Sequence, residues 1–142
     1  MKKGYGFTGN QDGMSVKQAR VFRDLMAIAF RPKTKFRHGD CIGSDARAHR
    51  IAKKQGYTIY IHPPKNPVKR AWCKGHIILQ EDDYIRRNHS IVDQSYVLFA
   101  CPAEFEEKVF SGTWATIRYA RSQKRRIVII FPDGSIQREN FP

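Results

Sequence analysis

Along this chain, short extended apolar runs alternate with stretches in which apolar residues recur every three or four positions. Residues 4–9 (Gly-Tyr-Gly-Phe-Thr-Gly) read as a first strand that ends in a turn. Ser15 and Gln18 form a capping box ahead of Val21, Phe22, Leu25, Met26 and Ile28, which predicts a helix that Pro32 ends. A second strand around Phe36 leads into a helix over 46–55, with Ser44 as its N-cap and Gly56 as its stop. Residues 57–62, rich in β-branched and aromatic side chains, predict a third strand closed by Pro63-Pro64. After a long connection over 63–82, residues 83–94 read as a helix anchored by Ile85, Ile91 and Val92. Residues 96–101 form an apolar fourth strand, Ser111 opens a helix reaching about Gln123, and 127–131 form a fifth strand before a turn and a short tail.

Alternating strands and helices, with two strands apolar throughout, predict an α/β three-layer sandwich around a mainly parallel sheet of about five strands. No internal repeat, linker or low-complexity segment interrupts residues 1–142, so one domain is expected. Right-handed crossovers bring the turns after Phe7, His38, His62 and Ala100 to one edge, where ligands of open α/β sheets bind.

Composition narrows the partner. Lys and Arg number 26 against 13 Asp and Glu, a net charge of +13, which favours anions: nucleotides, nucleic acid or an acidic surface. The cysteines Cys41, Cys73 and Cys101 cannot all pair within the chain, which fits reduced thiols in the cytoplasm. No apolar run of signal-peptide or membrane-spanning length is present, so no membrane partner is expected.

Three junctions that lead into helices carry small and hydroxylated residues: Thr8-Gly9-Asn10, the stretch holding Gly39, Asp40, Gly43, Ser44 and Asp45, and Ser111-Gly112-Thr113. Such turns present backbone N–H groups with a helix dipole behind them, suited to a phosphate. The spacing is neither G-x-G-x-x-G nor a Lys-bearing phosphate loop. Asp40 or Asp45 can accept two ribose hydroxyls; equally, Asp45 can be a first-turn acid that complements its helix dipole. Arg87, followed by Asn88, suits a phosphate clamp. The connection bearing Lys65, Lys69, Arg70, Trp72 and Lys74 suits a basic lid. Trp72 is a candidate to stack on a ligand; Trp114 either stacks or packs on the sheet. Cys73-x-x-His76 has metal-like spacing without a second pair, so neither a metal nor a resident cofactor is expected. Arg118, Arg121, Lys124, Arg125 and Arg126 form a basic stripe that suits a helix C-terminus or a nucleic-acid backbone.

The order of Thr8-Gly9, His38-Gly39-Asp40-Cys41-Ile42-Gly43-Ser44-Asp45, His62-Pro63-Pro64, Arg70-Ala71-Trp72-Cys73, Arg87-Asn88-x-x-Ile91-Val92-Asp93 and Ser111-Gly112-Thr113-Trp114-x-Thr116 resembles the YspA-like branch of the SLOG superfamily. That superfamily also holds the Lonely Guy enzymes and the DprA fold. The resemblance runs from about Phe7 to Gly134. It implies a Rossmann-like fold that binds nucleotides or nucleotide-derived signals, in a protein that senses or sequesters them, as proposed for bacterial and phage conflict systems. Related folds commonly form homo-oligomers. In the Lonely Guy motif P-G-G-x-G-T-x-x-E, Gly112 and Thr113 match G-T, the P-G-G positions fall on Lys108, Val109 and Phe110, and the catalytic glutamate falls on Thr116. Binding therefore carries over and phosphoribohydrolase catalysis does not. Two rival expectations are a nucleotide hydrolase using Asp40 or Asp45, and single-strand binding of the DprA type through the basic stripe and Trp72.

Overall fold

The computed structural model describes residues 4–142. The start of the chain, Met1 to Lys3, on which part of the signal-peptide expectation rests, lies outside the described residues. Seven strands make one sheet: β1 (Tyr5–Gly9), β2 (Lys35–His38), β3 (Thr58–Ile61), β4 (Ile77–Ile78), β5 (Val97–Cys101), β6 (Arg126–Ile130) and β7 (Ile136–Glu139), in the order β4-β3-β2-β1-β5-β6-β7. The first six run parallel and β7 is antiparallel to β6. Four helices, α1 (Val16–Ala29), α2 (Ser44–Gln55), α3 (Tyr84–Asp93) and α4 (Gly112–Ser122), complete the Rossmann-like sandwich.

Strand periodicity explains the two cores. Phe36 of β2, Ile59 and Ile61 of β3 and Phe99 of β5 pack with Phe7, Phe22, Met26 and Tyr57 beneath α1 and α2. Leu98, Ile127 and Ile129 pack with Trp114 and Ile117 beneath α3 and α4. β5 gives alternate side chains to both layers and is buried throughout, the reason its sequence reads as one apolar run. Each fully buried ring or aliphatic chain contributes about 1.5–3 kcal/mol.

Helix ends follow local chemistry. Ser15 and Gln18 close both halves of the capping box on α1. Gly56 ends α2 in the left-handed conformation at φ 100°. Asp83 caps α3 by accepting from Arg86 N–H, and Ser111 caps α4 by accepting from Trp114 N–H.

Four expectations change. Ser44 is the first residue of α2, not its cap; the cap is Gly43, at φ 85°, and the Ser44 hydroxyl donates to the Asn10 carbonyl at 2.6 Å. Ile85 is 69% exposed and anchors nothing, because it lies off the face that buries Arg87, Ile91 and Val92. The connection after β3 is not bare loop: it holds a 3₁₀ turn (Pro67–Lys69) and the edge strand β4. The tail forms β7. The sheet thus gains an edge strand on either side of the five expected.

β1 sits centrally; the chain winds outward through β2, β3 and β4, then returns to β5 and winds the other way. The reversal between β1 and β5 leaves a crevice at their carboxyl ends. Among the described residues, no helix is long and apolar enough to cross a membrane.

Candidate functional site

A cleft of about 630 Å³ opens at that crevice. Its walls come from the turn after β1, the turn between β2 and α2, the inner side of α3 and the segment leading into α4. Eleven of the sequence-derived candidates line it: Thr8, Gly9, Asn10, Gly39, Asp45, Lys69, Arg87, Asn88, Ser111, Gly112 and Thr113.

Arg87 is 5% exposed and lines the cleft wall. Its Nη1 donates to the carbonyls of Gly39 and His62, its Nε to Asn88 Oδ1 at 2.7 Å, and its Nη2 to Cys41 Sγ at 3.6 Å. A guanidinium held this way ties α3 to the ends of β2 and β3 and leaves a fixed positive charge on the cleft wall. Gly39 is required for the approach: a Cβ there would stand 2.5 Å from Arg87 Nη1.

The turn before α2 spends most of its N–H groups internally; those of Gly43 and Asp45 have no partner among the described residues. Gly39 and Cys41 donate to the Asp45 carboxylate, Asp40 to His38 Nδ1, Ile42 to the Lys69 carbonyl and Ser44 to the Asn10 carbonyl. Asp45 therefore occupies the nest that a phosphate would use. Burial raises its carboxyl to about 6, opposed by Arg87 and by the two backbone donors. Burial also raises the Cys41 thiol, so Cys41 lines the cleft as a neutral group.

The start of α4 is different. Ser111 caps the Trp114 N–H, while Gly112 and Thr113 have no backbone N–H partner among the described residues. The first turn carries no acid, and a Cβ on Gly112 would meet nothing within 4 Å. Thr113 lines the cleft beside it. Two donors thus stand without a partner at the positive end of a helix.

The remaining candidates stand outside the lining. Asp40 is fully buried at φ 58°; its carboxylate accepts from Arg70 Nε at 2.9 Å and from Cys73 N–H at 2.9 Å. Gly43 lies where a Cβ would stand 2.0 Å from the Gln11 carbonyl. Ser44 is pinned to Asn10. Thr116, at the glutamate position of the Lonely Guy motif, is buried inside α4 and donates to the Gly112 carbonyl. In the lid segment only Lys69 reaches the cleft. Arg70 pairs with Asp40 and stacks 3.9 Å over the Trp72 ring, which is 62% exposed. Together with Ala71 N–H to the Asp40 carbonyl, these bonds fasten the segment to the turn as a wall.

Trp114 packs in the second core and donates to Glu104 at 3.0 Å. In the basic stripe, Arg121 is bound to Glu107 and Glu139, and Arg118 to Glu107. His76 accepts from Ile59 N–H, so the Cys73-x-x-His76 spacing does not form a donor pair. Instead His38, His49 and Cys73 converge within 4.8 Å. There His38 Nδ1 accepts from Asp40 N–H, which puts the proton on Nε2 to donate to His49 Nδ1 at 2.9 Å.

Sequence reasoning missed Asp12, Tyr84, Glu104 and Phe110 among the lining. Phe110 carried a signal: an apolar residue just before an N-cap ordinarily packs on the fourth helical residue. Here it is 100% exposed.

No family model matches the chain, and no curated protein does. Solved structures that share its fold include two molybdenum cofactor proteins. The molybdenum cofactor binding protein from the phototrophic bacterium Rippkaea orientalis aligns with a TM-score of 0.70 at 20% identity, over 92% of this chain and 77% of that one. The molybdenum cofactor carrier protein of Chlamydomonas reinhardtii aligns with a TM-score of 0.58 at 19% identity, over 91% and 76%. At such identities the likeness is one of fold.

Proposed function

We propose that this protein binds and carries a phosphate-bearing small molecule with a flat heterocycle, either a nucleotide or a phosphorylated pterin such as the molybdenum cofactor, in the cytoplasm. The open start of α4 supports this most: two unpartnered N–H groups, no acid in the turn, and a cleft shared with Arg87. The phosphate sits on Gly112 and Thr113, and Arg87 supplies charge from the opposite wall. Tyr84 and Phe110 offer faces for the ring. The molybdenum cofactor, for which both structural neighbours are named, is a pterin bearing a phosphate. It joins a flat ring to a phosphate as a mononucleotide does.

A hydrolase is the second reading, favoured by one observation: Asp45 lines the cleft with its carboxyl raised to about 6, suited to giving up a proton near neutral pH. Asp40 does not share that role, being ion-paired outside the lining.

A thermal-shift screen with mononucleotides, ADP-ribose and the molybdenum cofactor tests both, with chromatography of the recovered ligand. A ligand at a hundredfold excess over its Kd stabilises the fold by about 2.7 kcal/mol. A shift with the ligand returned intact supports a carrier. A shift with cleaved ligand supports the hydrolase, and no shift across the panel rejects both.

A further inference from the structure

Arg37 is 5% exposed, yet no carboxylate pairs with it among the described residues. Its hydrogen-bonding contact is Nη1 to His62 Nε2 at 3.2 Å, and its Nε is buried without a partner among the described residues. A buried cation without a counter-charge is costly, and a buried donor without an acceptor calls for an explanation.

Its position in the sheet supplies one. Gly6, Arg37, Tyr60 and Ile77 are paired in register across β1, β2, β3 and β4, and so form a row on one face. α3 covers that row at Gly6, where a Cβ would meet Ser95 and Ile91. The packing of α3 and α4 falls on β1, β5 and β6, and at the far end of the row Ile77 is 42% exposed. Lys35, two residues before Arg37 and thus on the same face, lies with its Nζ 5.2 Å from the Tyr60 ring centre; Arg37 Cζ lies 4.4 Å from it. Two cations converge on one ring with no acid between them. The ring offsets part of the charge. It cannot accept the free Nε–H in the plane of the guanidinium.

We infer that Lys35, Arg37, Tyr60 and His62 form a second anion site, on the sheet face away from α2, that takes a phosphate-class oxyanion. Lys35 and Arg37 supply the charge, the Tyr60 hydroxyl a further donor, and His62 orients Arg37. Burial, then Arg37 and Arg87, lower the pKa of His62 to about 3, so its ring stays a neutral acceptor for the guanidinium. None of the four lines the cleft, so the site stands apart from the proposed ligand position.

The test is a set of thermal melts of the full chain in chloride buffer with rising inorganic phosphate, for wild type, Arg37→Met and Thr113→Asp. Arg37→Met should melt at or above wild type without phosphate, because an unpaired buried charge has gone. It should also lose a phosphate-dependent rise that Thr113→Asp, altered only in the cleft, retains. If Arg37→Met melts below wild type but keeps the same phosphate-dependent rise, Arg37 is a strut for Tyr60 and His62 and the site is rejected. Loss of the whole response in Thr113→Asp also rejects it, since all the phosphate then binds in the cleft. Should Arg37→Met not fold, Lys35→Met gives the answer: a severalfold weaker phosphate midpoint supports the site and an unchanged one overturns it. A parallel titration with glycerol 3-phosphate assigns the site to free oxyanion or phosphate monoester; a rise with neither overturns it.

Discussion

α2 and α4 both begin at the carboxyl edge of the sheet, and both first turns face the same cleft. At α2 the protein fills the turn with its own carboxylate, Asp45, and locks it from behind with the Asp40–Arg70 pair. At α4 the same position, second in the helix, is Thr113, and the donors stay free. Two helix starts with the same dipole therefore do different work. The filled one fixes the fold, and the open one is free to take an anion. A glycine-rich turn before a helix marks a place where an anion fits; what the chain itself puts there decides whether a ligand can.

The largest expected effect lies on the filled side. Asp40→Ala leaves Arg70, whose side chain is 7% exposed, with only a 3.5 Å contact to the exposed Glu81, and removes the acceptor of Cys73 N–H. Breaking a buried pair by removing one partner costs about 3–5 kcal/mol. Urea unfolding should show that loss in the midpoint; a loss below about 1 kcal/mol would mean the turn holds without its lock.

Next comes the exchange of roles. Thr113→Asp copies onto α4 the acid that fills α2. An acid in the first turn suits the helix dipole, so the fold is expected to survive. Ligand affinity should fall on the order of 100-fold, because the carboxylate competes for the same two N–H groups and repels a phosphate. Calorimetry with the best-bound mononucleotide of the screen checks this. Unchanged affinity would place the phosphate elsewhere.

Much of this frame was legible in the sequence because its causes are local. The capping box of α1 needs only Ser15 and Gln18, and the end of α2 needs only Gly56. The edge strands were not legible. β4 is two residues long and exists by pairing with β3, while Ile136–Glu139 has one apolar residue and no alternation to read. Candidate residues for the cleft were found, since small and hydroxylated turns mark it. Which turn is filled was not, because Asp45 turns back onto Gly39 and Cys41 only once Gly43 adopts its positive φ. Arg87 looked the same in sequence as a solvated arginine; its burial comes from the approach of Gly39 across the sheet edge.

pH separates the two turns more gently. Folding raises Asp45 from 3.8 to about 6, so the native state binds more protons between these values. The contribution of Asp45 to stability is thus full below pH 3.8 and is lost as pH rises through about 6. His38, His49 and His62 act in the opposite sense: burial lowers each, so their contribution is present above 6.5 and lost as pH falls. The Asp45 effect is isolated by comparing wild type with Asp45→Asn. Wild type should lose about 1 kcal/mol relative to that variant between pH 5 and pH 7. A difference independent of pH would mean Asp45 stays ionised throughout.

The smallest effect tests whether the open turn depends on its cap. Ser111 and Ser44 are both serines at a helix start, yet only Ser111 accepts from a helix N–H. Ser111→Ala should cost about 1 kcal/mol and fray the first turn of α4, including the donors at Gly112 and Thr113. Ligand affinity should fall with it, because a frayed turn no longer presents the two N–H groups together. Ser44→Ala removes instead a bond to the Asn10 carbonyl, which still accepts the Ser44 N–H, so it should lower stability with little change in affinity. Equal losses of affinity in the two variants would show that the turns act as one unit. An affinity loss confined to Ser111→Ala would place the ligand at α4.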